Sequence, residues 1–357
     1  MDRLLFIFVL ICSVFGVLLI DSASSVWALD RFGNAHFFSA RQAVYLAAGL
    51  VVMLIVSKVD YLFWYRHAKS IYFVTVILLV IVLIPGIGLE RNGSQSWIGV
   101  GPLSIQPAEL AKAGVLMLTA GLISRQSKKL SIKQTVFLML VVLFPFGIIM
   151  LQPDLGTGTV LAGSGLSLLF LAGVSIRFFL CLFGAGMAGF AGLVIAAPYR
   201  MQRIYSFIDP WQDPLGAGFQ IIQSLYAAGP GGLFGAGFFE SRQKHFYLPE
   251  PQNDFIFAIA AEELGLAGSI LIVCLFSAVI WRGILIAIHA PDSFSKLLAG
   301  GITISLGLQA VMNISVVIGL IPVTGITLPF FSYGGSSLMV VLSMSGILLN
   351  ISRHTGK

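Results

Sequence analysis

Charge is scarce in this 357-residue chain. It carries 21 Lys and Arg and 15 Asp and Glu, 10% of residues, where soluble domains carry roughly 25%. With 57% apolar residues, the chain cannot clothe itself in a solvated surface, which excludes a soluble globular domain. Cysteine is nearly missing too: Cys12, Cys181 and Cys274 all fall inside apolar runs and read as small buried residues, so no disulfide framework is available. The five His are scattered with no ligand-spaced pair and no His-Glu-x-x-His, so no metal site is legible. There is no Gly-x-x-x-x-Gly-Lys-Ser/Thr loop, which argues against nucleotide-driven work in this chain. Soluble domains, linkers and low-complexity tails are lacking as well.

Long apolar runs are what the chain does have. A spanning helix needs about 20 mostly apolar residues, and ten runs qualify: 4–22, 41–58, 70–88, 107–124, 134–151, 156–174, 177–197, 254–282, 296–320 and 327–352. Only a short turn near Val174-Ser175 separates the sixth from the seventh, so nine is the alternative count. The expected fold is an all-α polytopic membrane protein, one integral-membrane domain over residues 1–357. Helices 1–7 occupy 1–197, a large extracytoplasmic loop 198–253 and helices 8–10 residues 254–357. The first run is read as an uncleaved span, because its positive flank is Arg3 alone.

Basic residues give the orientation. With the N-terminus inside, thirteen Lys and Arg fall on the cytoplasmic side against seven outside, and acidic residues lean the other way, three against nine. Both termini are therefore expected in the cytoplasm. The net charge of +6 is a topology signal, and nucleic acid is not an expected partner.

The 198–253 loop is longer than a connection between neighbouring helices requires. Within it, Gly218 to Tyr226 is too short to span and reads as an amphipathic helix at the interface. The cluster Gly229-Pro230-Gly231-Gly232 with Gly235 and Gly237 could cradle a phosphate with backbone amides, but no basic residue stands at a set spacing beside it, and plain chain reversal is the favoured reading. Later, Ile321 to Gly335 is apolar enough for the bilayer yet punctuated by Pro322, Pro329, Gly325, Gly334 and Gly335. Irregular backbone at membrane depth persists only where protein buries it or it lines a watery cavity, and broken helices often mark binding sites.

Ionisable groups within spans are site candidates by default. Glu109 and Lys112, three apart, share a helix face and can pair; Glu262 and Glu263 are the other two. Asp254 closes the proline-stiffened hexapeptide Pro249-Glu250-Pro251-Gln252-Asn253-Asp254 at the lip of the eighth run. It is a base, a transport group, or, with Asn253, the cap of that helix. Arg91, Arg200, Arg203, Arg242 and Lys244 lie on the same side, suited to phosphate or pyrophosphate oxygens; attraction to anionic membrane lipids explains them equally. A lone acid, nearby cations and a cavity-lining broken helix suggest work on a phosphate-bearing lipid.

Five ordered motifs carry a resemblance over nearly the whole chain. They are Asn92-Gly93-Ser94-Gln95-Ser96-Trp97-Ile98, Gln106-Pro107-Ala108-Glu109-Leu110-Ala111-Lys112, and Gln152-Pro153-Asp154-Leu155-Gly156-Thr157. The fourth joins the Asp254 hexapeptide to Phe255-Ile256-Phe257 and Glu262-Glu263-Leu264-Gly265, and the fifth is Pro329-Phe330-Phe331-Ser332-Tyr333-Gly334-Gly335-Ser336-Ser337. Together they resemble the SEDS family (shape, elongation, division and sporulation), closest to its FtsW/stage V sporulation protein E branch.

That resemblance implies a peptidoglycan glycosyltransferase of the bacterial cytoplasmic membrane, polymerising lipid II on the outer face for cell division, shape or sporulation. Its implied substrate is the undecaprenyl-pyrophosphate-linked disaccharide peptide, and its implied partner a class B penicillin-binding protein transpeptidase. The acid matching Asp254 is the family's presumed catalytic residue. Glu109, Lys112, Arg91, Arg200, Arg203, Lys244, Ser332 and Gly334 are the expected substrate and pyrophosphate contacts. No cofactor is legible, although a divalent cation could assist the pyrophosphate. Asp154, beside Pro153 at a span end, is read as structural. The chain departs from the family where many members place a base before the motif Trp; here Ser96 precedes Trp97. A lipid II flippase and a non-catalytic scaffold for a transpeptidase are the competing roles.

Overall fold

The computed structural model describes residues 1–355 except 92–93, 101–102, 127–129, 196–206 and 217. Among the described residues eleven α-helices follow in order: α1 Arg3–Phe32, α2 Phe37–Val56, α3 Tyr61–Val82, α4 Pro107–Ser124, α5 Ile132–Leu151, α6 Leu155–Leu171, α7 Ile176–Ile195, α8 Phe219–Ala228, α9 Ile256–Ile288, α10 Ser293–Val317 and α11 Gly335–His354. Eight of them, among the described residues, are long and apolar enough to cross a membrane; α6, with 17 residues, is a shorter apolar helix, and α7 follows it.

Helix starts are written in the sequence. Asp2, Asp60 and Asp154 accept the N–H of Leu5, Leu62 and Thr157, while Ser131 with Gln134 and Asp292 with Ser295 form capping boxes. Pro107 opens α4, where its missing N–H costs nothing. The first helix overruns its expected end at 22 and continues to Phe32, because neither Gly nor Pro interrupts it until Gly33 adopts φ 67° as a left-handed cap.

The centre of the bundle is polar-tolerant and the periphery apolar, the reverse of a soluble protein. In α4, α11 and α10 the buried share of the spanning window is 78%, 72% and 61%, against 28–39% in the other spanning helices. Leu4, Ile7, Ile11, Val14 and Leu18 instead form an exposed stripe along α1 at three- and four-residue spacing, the pattern of a lipid-facing surface. α4 packs against α3, α6 and α10, and α11 against α2.

Two features depart from the expected loops, and a third, the amphipathic helix, is present where expected. Residues 88–105 hold a three-stranded antiparallel sheet: β1 Gly88–Arg91, β2 Ser94–Val100 and β3 Leu103–Ile105, ordered β1-β2-β3. The strands are too short for their alternation to stand out among Gly and Pro. The last span begins at Gly335 rather than 327, leaving 320–334 non-helical. Finally, the amphipathic helix of the large loop is α8, which buries Ile221, Ile222, Ser224 and Ala227 against α9 and α10, and Ser224 Oγ donates to the Val317 carbonyl at 2.8 Å.

Candidate active site

Asp254 sits where the large loop meets α9. The turn before it is closed by the Asn253 N–H to the Glu250 carbonyl (3.0 Å) and by Asn253 Nδ2 to the Glu250 carboxylate (2.7 Å). The Tyr333 N–H donates to the Gln252 carbonyl at 2.8 Å. Asn313 Nδ2, from α10, donates to the Asp254 carbonyl and the Ile326 carbonyl, each at 2.7 Å. The loop is thereby fastened to the broken segment before α11. Gly325 takes φ 70°, a left-handed conformation that favours glycine, and a Cβ there would lie 3.6 Å from Asp254 Oδ2, which puts this turn beside the carboxylate.

The carboxyl itself is not a helix cap. The N-cap of α9 is Phe255, with no side-chain cap bond, which corrects the expectation that Asn253 or Asp254 caps this span. Asp254 is half-buried. Burial pushes its pKa up to about 7, with the charges of Glu250 and then Asp154 adding to the rise.

Below Asp254 lies a buried polar chain built from four elements. Lys112, 1% exposed, donates to Glu109 (2.9 Å) and to Gln309 Oε1 (2.7 Å). Gln309 Nε2 returns to the Thr327 carbonyl at 3.0 Å, while Ser337 Oγ reaches Glu109 at 3.4 Å and Thr327 Oγ1 at 3.3 Å. One helical turn above Glu109, Gln106 donates to Asp154 Oδ2 at 2.7 Å, and the other Asp154 oxygen accepts the Thr157 N–H at 3.0 Å. Burial raises the Asp154 pKa against those two hydrogen bonds. Glu109 and Lys112 thus share one buried hydrogen-bond network with neighbours from α10, the broken segment and α11.

Glu262 and Glu263 belong to a separate latch. Glu262 accepts Ser241 Oγ at 2.5 Å and the Arg242 N–H at 2.9 Å. Glu263 accepts Ser22 Oγ at 2.6 Å, the Ser241 N–H at 3.2 Å and Lys244 Nζ at 3.3 Å. Lys244, 3% exposed, also donates to the Phe239 carbonyl. This departs from the expectation of a pyrophosphate contact: a lysine buried against Glu263 has its charge already matched. Behind the latch, α9 breaks at Gly265, φ 66°. The Leu266 and Ala267 N–H groups turn to the Gly232 and Leu233 carbonyls (2.9 and 3.0 Å), and the Glu262 and Glu263 carbonyls accept from Ala236 and Gly237 (2.9 and 3.1 Å). The glycine cluster of the loop is therefore an insert in a helix ladder, built of glycines because the backbones touch; it explains the cluster without a phosphate.

The remaining candidates separate. Ser332 Oγ accepts the Leu328 N–H at 2.7 Å and its carbonyl accepts Gln42 Nε2 at 3.2 Å; Gly334 donates to Gln42 Oε1 at 3.2 Å. Both hold the turn into α11. Arg91 ends β1 opposite Ser94; its side chain, and Arg200 and Arg203 entirely, lie outside the described residues. Ser96 is buried, hydrogen-bonded to Ser94 Oγ at 2.5 Å and to the Gln152 carbonyl at 3.4 Å. A small hydroxyl is what that position accommodates here.

The family model described as cell cycle protein, covering FtsW, RodA and SpoVE, matches residues 2–357. The chain belongs to the FtsW/RodA/SpoVE family. It is 51% identical to stage V sporulation protein E of Bacillus subtilis (strain 168), over 99% of this chain and 97% of that protein. It is 41% identical to a probable peptidoglycan glycosyltransferase FtsW of Geobacter sp. (strain M18), over 98% and 96%. Among solved structures, one described as structural coordination of polymerization and crosslinking by a peptidoglycan synthase complex matches with a TM-score of 0.82 and 30% identity, over 99% of this chain and 97% of that one. RodA of Thermus thermophilus, a rod shape determining protein, matches at 0.75 and 27%, over 100% and 98%.

Within this FtsW/RodA/SpoVE chain, Gln42, Gln309, Asn313 and Thr327 escaped sequence reasoning. They are uncharged residues in helices or irregular backbone, and their partners lie far along the chain. Gln42, Gln309 and Asn313 do carry one signal: each is a carboxamide inside an apolar run, where an unpartnered amide is costly.

Proposed function

We propose that this chain polymerises lipid II into glycan strands on the outer face of the cytoplasmic membrane, with Asp254 as general base. The coarser role follows from the family: a multi-pass membrane glycosyltransferase of peptidoglycan synthesis. The 4-hydroxyl of the acceptor sugar gives its proton to the Asp254 carboxylate as its oxygen attacks the donor's anomeric carbon. The bond to the lipid pyrophosphate breaks with inversion. The leaving group departs as a stable anion, so no second carboxylic acid is required to protonate it; cations suffice. Arg91, Arg200 and Arg203 are proposed for that task, with the Glu109–Lys112 pair shaping the cavity floor and its field.

The observation that carries this reading is the state of Asp254. It is clamped by its backbone, turned away from helix capping, and raised to about 7 by burial and by Glu250 and Asp154. A base does most when its pKa lies near the working pH. The charge asymmetry of the loops supports cytoplasmic termini, and the likeness to a peptidoglycan synthase complex supports a class B penicillin-binding protein as partner.

The deciding assay uses purified protein in detergent with lipid II and the cognate transpeptidase, scored for glycan chains beside Asp254→Asn. Detergent abolishes sidedness, so flipping cannot generate polymer. Wild-type chains with an inactive Asp254→Asn variant are expected. No polymer from wild type would return the flippase or scaffold reading, and an active Asp254→Asn would remove the base assignment alone.

A further inference from the structure

We propose that a cavity between the N-terminal end of α3 and the C-terminal end of α4 binds the phosphodiester headgroup of an anionic phospholipid. The cavity measures about 120 Å³ and is lined by Tyr65, Arg66, Lys69, Leu118, Leu122 and Arg125, among others. Three cations from two helices border one small space, and among the described residues none of them forms an ion pair.

One cation is already oriented. Arg125 Nε donates to Tyr65 Oη at 3.1 Å, and the guanidinium lies 5.3 Å from the centre of the Tyr65 ring. The bond to Nε leaves the two terminal nitrogens free to fork onto phosphate oxygens. Arg66 and Lys69, three apart, fall on one face of α3. Leu118 and Leu122, four apart, stand on α4 between Arg125 and the membrane interior, where the first carbons of an acyl chain would lie. Asp292 lines an adjoining cavity that shares Tyr65, together with Ser293 and Phe294. Its carboxylate caps α10 through the Ser295 N–H at 2.9 Å. The cavity is therefore net cationic with an apolar inner wall, the chemistry that recognises an anionic lipid head at a bilayer surface.

Its place sets it apart from the candidate active site. Glu109 stands in the first turn of α4 and Arg125 at its other end, about 24 Å along the helix axis. A lipid in this cavity occupies the opposite leaflet from a lipid-linked sugar at Asp254.

The test is native mass spectrometry of the purified full chain in detergent, titrated separately with phosphatidylglycerol, phosphatidylcholine and inorganic phosphate. One saturable phosphatidylglycerol adduct is expected, with phosphatidylcholine and free phosphate each at least tenfold weaker. The combined Arg66→Gln, Lys69→Gln and Arg125→Gln variant should lose that adduct at least tenfold. Should the triple variant fail to fold, Arg125→Lys alone keeps the charge but removes the fork, and a several-fold loss is expected. Equal retention of both lipids, an adduct indifferent to these substitutions, or free phosphate binding as tightly as the lipid would overturn the proposal.

Discussion

Asn313 Nδ2 donates to the Asp254 main-chain carbonyl and to the Ile326 carbonyl, each at 2.7 Å, so one amide group ties the proposed base to the irregular segment before α11. Because the clamp grips backbone, it fixes where the carboxylate starts without consuming it. Asn313→Asp would place carboxylate oxygens against two carbonyls and loosen both. Misplacing a catalytic group by about 1 Å costs on the order of 10²-fold in rate. Polymerisation by Asn313→Asp and Asn313→Ala in detergent should fall by roughly that factor, with Asp254 still present. Unchanged rates would mean that the clamp does not set the position of the base.

The raised pKa of Asp254 gives a pH profile and a stability profile of defined sign. A general base acts when deprotonated, so kcat/KM should climb with pH up to about 7 and level off above it. Removing the Glu250 charge by Glu250→Gln should move that acid limb to lower pH. For stability, the carboxyl binds its proton more tightly folded than unfolded, where its pKa is about 3.9. Folding therefore weakens as pH rises from about 4 to 7. Asp254→Asn should melt higher than wild type at pH 8 and alike below pH 4, measured by thermal unfolding in detergent. An Asn variant that melts lower at pH 8 would mean that the carboxylate is a stabilising group.

Spans and charged candidates were legible because each rests on a local rule: apolar length for a span, a lone charge for a buried site. Glu109 and Lys112 announced themselves by sitting three apart in an apolar run. The break in α9 did not, since a single Gly within a long helical run is no break by itself and the reason for this one is a loop thirty residues earlier. Lys244 misled for the same reason. Its partner Glu263 is nineteen residues on and Ser22 comes from the first helix, so a cation that reads as loop surface is buried. Asn313 and Gln309 carry no charge, and their partners Ile326 and Thr327 are defined only once the chain has folded back.

The Glu109–Lys112 pair is buried at 3% and 1% exposure, so deleting one partner differs from deleting both. Lys112→Met strands the Glu109 carboxylate in a protein interior, a loss of about 3–5 kcal/mol. The double variant Glu109→Gln with Lys112→Met removes the stranded charge and should recover most of the melting temperature. If the pair serves only burial, the double variant should also recover polymerisation. If Lys112 contributes its field to the pyrophosphate, stability returns while kcat stays low. The comparison of melting temperature with kcat across wild type, the single and the double variant separates the two.

Loop and helix are interleaved at Gly265, where two bonds of the α9 ladder are replaced by four bonds to residues 232–237. A Cβ on Gly265 would lie 2.3 Å from the Gly235 nitrogen, at φ 66°, so even alanine must push the loop out. Crowding of this kind costs about 1–3 kcal/mol, and the left-handed backbone adds about 1–2. Gly265→Ala should therefore unfold at markedly lower temperature. Glu263→Gln is the gentler probe, because it keeps the shape but leaves Lys244 without its counter-charge. Hydrogen exchange should then quicken at the Ser241 and Arg242 amides, which donate to Glu263 and Glu262. It should stay slow at Tyr333, whose N–H bonds to Gln252 beyond the latch. Exchange that rises equally at Tyr333 would mean that the loop opens as one piece, and that the latch and the Asp254 clamp are a single unit.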